Sequence, residues 1–145
     1  MVEYMDLLTA CENNDSELAL KLLEDPSIGY NNTDENNTTI FMHACYNKME
    51  EVVLKLLERD DLNLNVNDSS GYTSLMYVCN SGMKNVLNKL LERDITNYNN
   101  VDEHGYTALI WAADSESKDT VVKLLDYDDI NYKHKTSDDD ISLIH

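Results

Sequence analysis

Apolar positions recur along this chain at a step of 34 residues. Leu22-Leu23 is followed by Leu56-Leu57, Leu90-Leu91 and Leu124-Leu125, and Ala10-Cys11 by Ala44-Cys45, Val78-Cys79 and Ala112-Ala113. Each step holds two helical stretches. In the fourth, Leu109, Ala112 and Ala113 stand at helical spacing. After a polar break, Thr120-Val121-Val122-Lys123-Leu124-Leu125 places apolar residues at i, i+3 and i+4. The equivalents of this second stretch run from Leu18 to Leu23, Val52 to Leu57 and Val86 to Leu91. Small residues in the first stretch predict a short helix in close contact with its neighbours. A single globular core has no reason to count in this way. Stacked units do, because each buries its apolar face only against the next.

Polar positions keep the same register. Asp34, Asp68 and Asp102 open a turn of the form Asp-x-x-Gly, with Gly71 and Gly105 supplying positive φ. Asn37 takes that slot in the second unit, and Asn tolerates the left-handed region better than most residues. Thr39, Thr73 and Thr107 stand where a helix begins, as competent N-caps. Polar loops over 60–67, 94–101 and 128–135 close the units. The periodicity divides a single array into a capping unit at 1–33, full units at 34–67, 68–101 and 102–135, and an incomplete fifth at 136–145. Unit 1 lacks the turn before Tyr4, while Ser142-Leu143-Ile144-His145 opens another first helix. That ending predicts a natural chain running on beyond His145.

Gly71-Tyr72-Thr73-Ser74-Leu75 and Gly105-Tyr106-Thr107-Ala108-Leu109, with the Ala-Ala and Leu-Leu pairs and with Asn31, Asn65 and Asn99 three residues before the next Asp, resemble the ankyrin repeat. The resemblance covers nearly the whole chain. It implies an all-α ankyrin-repeat solenoid of stacked helix-turn-helix units joined by extended hairpin-like loops. The rival 34-residue tetratricopeptide pattern lacks the Asp-x-x-Gly turn and the long inter-unit loop. Ankyrin units usually run 33 residues, so one extra residue per unit is expected in the loop. The family's His after Leu is replaced by Leu8, Met42, Met76, Ile110 and Ile144, which predicts a lower stability per repeat.

Charge narrows the partners. The formal net charge is −17, and the successive units carry −6, −4, 0 and −4, with −3 in the tail. Nucleic acid and anionic membranes are disfavoured, since both need clustered Lys and Arg. No apolar run approaches the ~20 residues that span a bilayer. Met1-Val2-Glu3-Tyr4-Met5-Asp6 has no signal-peptide character. A soluble, cytoplasmic protein is expected, in a host cytoplasm if the chain is viral. Heavy use of Asn, Asp, Tyr and Ile resembles the ankyrin proteins of amoeba-infecting giant viruses or protists. Cys11, Cys45 and Cys79 share one repeat position and are expected to be reduced core residues, because neighbouring helix axes lie ~8–10 Å apart. The sequons at Asn31, Asn36, Asn37 and Asn67 are expected by chance among seventeen asparagines.

Nothing in the sequence forms a catalytic constellation. His43, His104, His134 and His145 occupy different repeat positions without metal spacing, and Asp138-Asp139-Asp140 lacks a calcium loop. Neither an enzyme nor a cofactor or metal is expected. Function then rests on surface, and the resemblance implies a concave groove lined by turn tips and first helices. Carried over position by position, the groove includes Tyr46 and places Tyr72, Tyr77, Tyr106 and Trp111 as anchors, with Glu103, His104 and Asp114 as polar selectors. Buried Tyr and Trp are frequent interface anchors, and acidic rims steer a basic or mixed-charge partner. The expected function is a non-catalytic protein-binding module, monomeric unless its C-terminal end is uncapped. The alternatives are a structural or self-associating segment of a longer ankyrin protein, and the substrate-recruiting part of a ubiquitin-ligase adaptor. The resemblance also nominates Asn31, Asn65 and Asn99 for asparaginyl hydroxylation.

Overall fold

The computed structural model describes residues 3–115, 117–127 and 130. Among these residues the chain forms eight helices: α1 (Glu3–Glu12), α2 (Ser16–Leu22), α3 (Ile40–Tyr46), α4 (Glu50–Leu56), α5 (Ser74–Ser81), α6 (Lys84–Leu90), α7 (Ala108–Asp114) and α8 (Lys118–Leu125). Every 34-residue step supplies one packed pair, α1 on α2 through α7 on α8. The first helices α1, α3, α5 and α7 touch in chain order and form one layer, while α2, α4 and α6 form a second. The described residues contain no strand. Isolated antiparallel bridges, Thr33 to Thr39 and Asn67 to Thr73, close two of the turns as hairpins. The all-α solenoid with hairpin-like loops is therefore the observed fold. The incomplete fifth unit at 136–145, with His134, His145 and the Asp138–Asp140 run, lies outside the described residues.

Most of these helices have seven residues, too few to persist alone in water. Caps and packing hold them. Thr39, Thr73 and Thr107 sit in extended backbone and accept the N–H of Met42, Met76 and Ile110 through their hydroxyls, as their N-cap pattern predicts. The residue replacing the family's His takes part in this cap. The sulfur atoms of Met42 and Met76 accept the N–H of Thr39 and Thr73 at 3.5 and 3.4 Å. Ile110 has no atom that could do so. Gly71 and Gly105 have φ of 83° and 80°, and Asn37 takes the same left-handed conformation at 58°. A Cβ on Gly71 would meet the Asp102 Cα at 3.0 Å, so the next repeat's turn also requires glycine there.

Small side chains let the first helices approach. Ala10, Cys11, Ala44, Cys45, Val78, Cys79 and Ala112 are buried between them. The three thiols are free, and burial pushes Cys11 and Cys79 up to about 12 and Cys45 well above its ordinary 9.0. They act as inert core residues.

Polar clasps join one repeat to the next. Arg59 donates to the Leu23 carbonyl at 2.7 Å, and Arg93 to the carbonyls of Leu57, Arg59 and Asp60 at 2.9, 2.9 and 3.0 Å. Each arginine thus satisfies carbonyls at the C-terminal end of the preceding repeat's second helix, which the helix itself leaves unpaired. On the first-helix layer, Asn47 reaches the Cys11 carbonyl and Ser115 the Cys79 carbonyl. In the loops, Asn31 donates to the Asp61 carbonyl and accepts from Asn63 N–H, and Asn65 does the same with Asp94 and Thr96. The turn tips join through Ser69 N–H to Asn36 and Glu103 N–H to Ser70.

Candidate partner-binding site

Each turn Asp organises its repeat through both carboxylate oxygens. Oδ1 of Asp34 accepts the N–H of Asn36 and Thr38, that of Asp68 the N–H of Ser70 and Tyr72, and that of Asp102 the N–H of His104 and Tyr106. Oδ2 pairs with a ring nine residues on: His43 Nε2, the Tyr77 hydroxyl and Trp111 Nε1–H, each at 2.8 Å. His43, Tyr77 and Trp111 therefore do one structural job with three different rings. For Asp34, burial opposes ionisation, but the N–H groups of Thr38 and Asn36 and the His43 ring outweigh it and hold the carboxyl below its ordinary 3.8.

The same bonds aim aromatic rings at one another across repeats 3 and 4. Tyr72 lies between Tyr77 and Trp111, with centroids at 5.7 and 6.0 Å and planes tilted by 56° and 54°. Tyr106 continues the row at 5.4 Å from Trp111, and His104 stands edge-on to Tyr106 at 6.4 Å. These are the offset, tilted arrangements that aromatic quadrupoles favour. Tyr46, Tyr72, Tyr77 and Trp111, with Met76 and Asn80, line a pocket of about 190 Å³. Tyr46 comes from α3, Tyr77 from α5 and Trp111 from α7, so three successive repeats contribute walls.

The pocket lies in a negative field. Burial raises the Tyr72 phenol above its ordinary 10.0, and the charges of Asp102, Glu103 and Asp68 raise it further. Tyr77 is also raised, first by burial and then by its bond to Asp68.

Of the sequence-predicted site residues, Tyr46, Tyr72, Tyr77 and Trp111 meet in the pocket. Tyr106 and His104 extend the row beside it, with Glu103 3.5 Å from His104 Nε2. Asp114 is exposed at the C-terminal end of α7, one repeat along from Asn80, and is not part of the pocket. Met76, which sequence reasoning treated only as the replacement for the family's His, forms part of the wall.

One grouping escaped the sequence. Glu12, Asp34 and His43 bring ligand-type atoms within 4.8 Å of one another at the first repeat junction, although no linear metal spacing relates them. The same positions one repeat later hold Tyr46, Asp68 and Tyr77, and then Asn80, Asp102 and Trp111. Since the Asp–ring bond forms with Tyr and Trp as well as with His, it accounts for the His43–Asp34 pair without a metal.

A second apolar surface lies on the fourth repeat. Ala113, Ser117, Lys118, Val121 and Val122 line an open hollow, and Val122 and Leu125 are 61% and 45% exposed. No helix among the described residues is long and apolar enough to cross a membrane.

No curated protein matches the chain. The family described as ankyrin repeats in three copies matches it over residues 7–100 and again over 62–136. With the helix pairs, the Thr-capped first helices and the Asp-anchored turns in register with that match, the chain belongs to the ankyrin-repeat family.

Proposed function

We propose that this chain is a non-catalytic binding module that holds a protein partner on the face made by its turn tips and first helices. The observation that carries this reading is the pocket walled by Tyr46, Tyr72, Tyr77 and Trp111. Ankyrin repeats are in general protein-interaction modules, and a rigid aromatic pocket gives contact area at low entropic cost. The acidic groups around it, Asp68, Asp102 and Glu103, favour a basic or mixed-charge partner.

Trp111 and Tyr77 also hold their turns, so their removal would mix binding with stability. The rings of Tyr46 and Tyr72 carry no such bond, since Tyr72 reaches the Asp68 carboxylate through its backbone N–H, which a substitution keeps. Tyr46 is 74% exposed. The test is capture from a cell lysate by the wild-type chain and by a Tyr46→Ala/Tyr72→Ala variant, with helix content checked by circular dichroism. A protein retained by wild type and lost by a folded variant supports the reading; equal capture by both removes it.

A second reading is self-association through the fourth repeat, favoured by exposed Val122 and Leu125. Sedimentation equilibrium over a hundredfold concentration range separates the two. A mass constant near 16.6 kDa leaves the monomeric module, whereas a mass rising toward twice that value supports assembly.

A further inference from the structure

Building on the binding face proposed above, we infer that the aromatic pocket receives a methylated ammonium group carried on a side chain of the partner. Three observations lead there. First, its lining includes four aromatic rings, and Tyr72 is tilted by 56° and 54° against Tyr77 and Trp111 instead of stacking flat on them, with exposed Tyr46 at the rim. The face of an aromatic ring is its negative side, and a cation set against several faces is held by all of them.

Second, two of those rings donate to carboxylates, Tyr77 to Asp68 and Trp111 to Asp102. Such a bond moves electron density toward the ring and strengthens its attraction for a cation.

Third, the pocket discriminates among cations by what it lacks. Its non-aromatic lining is Met76 and Asn80, and no carboxylate forms part of the wall. Asp68 and Asp102 use both oxygens on their own turns and rings. A primary ammonium carries three N–H donors and a guanidinium five, which need acceptors once water is removed. A methylated ammonium has the charge with few or no donors and loses less on entering.

The ankyrin backbone does not create this pocket by itself. One repeat earlier, the positions of Tyr46, Tyr72 and Tyr77 hold Glu12, Thr38 and His43. The cage is a property of the sequence at repeats 2 to 4.

Trp111 is the chain's one tryptophan, so its emission reports on the pocket directly. The experiment titrates the full chain with choline, with ethanolamine (the primary ammonium analogue) and with dimethylbutanol (carbon in place of the charged nitrogen), against sodium chloride at matched ionic strength. The expected result is a saturable change with choline, about tenfold tighter than with either analogue. Tyr72→Leu weakens it about tenfold, and exposed Tyr46→Ala gives a second variant should the first misfold. Equal binding of dimethylbutanol would make the pocket merely apolar and overturn the inference, as would the absence of saturation with choline. The two readings fail separately. Loss of lysate capture in the Tyr46/Tyr72 variant without choline binding leaves the binding face and removes the cage. Choline binding with capture unchanged in that variant leaves a cation-binding pocket but removes the face, and with it the partner's side chain as the occupant.

Discussion

Ser74 carries a hydroxyl that is buried with no hydrogen-bond partner. The same position holds Ile40 in the second repeat and Ala108 in the fourth, so nothing in the repeat requires an oxygen there. Ser74→Ala removes the unsatisfied group and improves helix propensity, and should stabilise the fold by about 1 kcal/mol in urea unfolding. At Asp34 the balance reverses, because its carboxylate is fully employed. Its folded pKa lies below the unfolded value, so its contribution is complete above about 3.8 and is lost as pH falls through the folded value. Asp34→Asn keeps an oxygen for the Asn36 and Thr38 N–H groups but removes the titration. Its acid-unfolding curve should be flatter below pH 4 than that of wild type. These carboxylate bonds were only half legible in the sequence. Asp34, Asp68 and Asp102 announced a turn by their spacing to Gly or Asn. His43, Tyr77 and Trp111 look chemically unrelated, and what unites them is a ring hydrogen-bonding group at one reach, which emerges only in three dimensions.

At the scale of elements, helix positions could be read from the 34-residue register to within about two residues because the pattern was stated several times over. The second helices Leu18–Leu23 and Val52–Leu57 of the sequence reading are Ser16–Leu22 and Glu50–Leu56 in the fold. The clasps between them were not legible. Arg59 and Arg93 stand beside acidic residues and read as surface charge, while their carbonyl partners have no sequence signature. Energetically they outrank the visible ion pairs. Lys55–Glu58 and Lys84–Asp119 are 3.8 and 3.7 Å contacts between exposed groups, worth little in water. Arg93 instead makes three charge-assisted bonds to carbonyls, two of them partly shielded and that to Asp60 exposed. Arg93→Ala should cost about 2 kcal/mol by urea unfolding, and Arg93→Lys most of that, since one ammonium cannot span the same carbonyls. A Lys84→Ala change should fall within about 0.5 kcal/mol of wild type.

For the whole molecule, the net charge of −17 opposes the packing that the repeats achieve. Screening should therefore help it. Raising sodium chloride from ~0.01 M to ~0.15 M shortens the Debye length from ~30 to ~8 Å and should raise the melting temperature. A falling melting temperature would mean that attractive pairs outweigh the excess negative charge.

The clasps between the helices of successive repeats also have a direction. Arg59, Arg93 and Asn47 are donors on a later repeat, and every carbonyl they seize belongs to the one before, while Ser115 shares its hydroxyl between Cys79 of the preceding repeat and Ala112 of its own. In a chain made from its N-terminus, the acceptor of each of these helix clasps is synthesised first. In the loops, by contrast, Asn31 and Asn65 donate to the Asp61 and Asp94 carbonyls of the next repeat. Each new helix pair emerging from a ribosome meets a seat already formed, so the helical layers can assemble in step with translation, one repeat at a time, with only the loop clasps of Asn31 and Asn65 left to close on the repeat that follows.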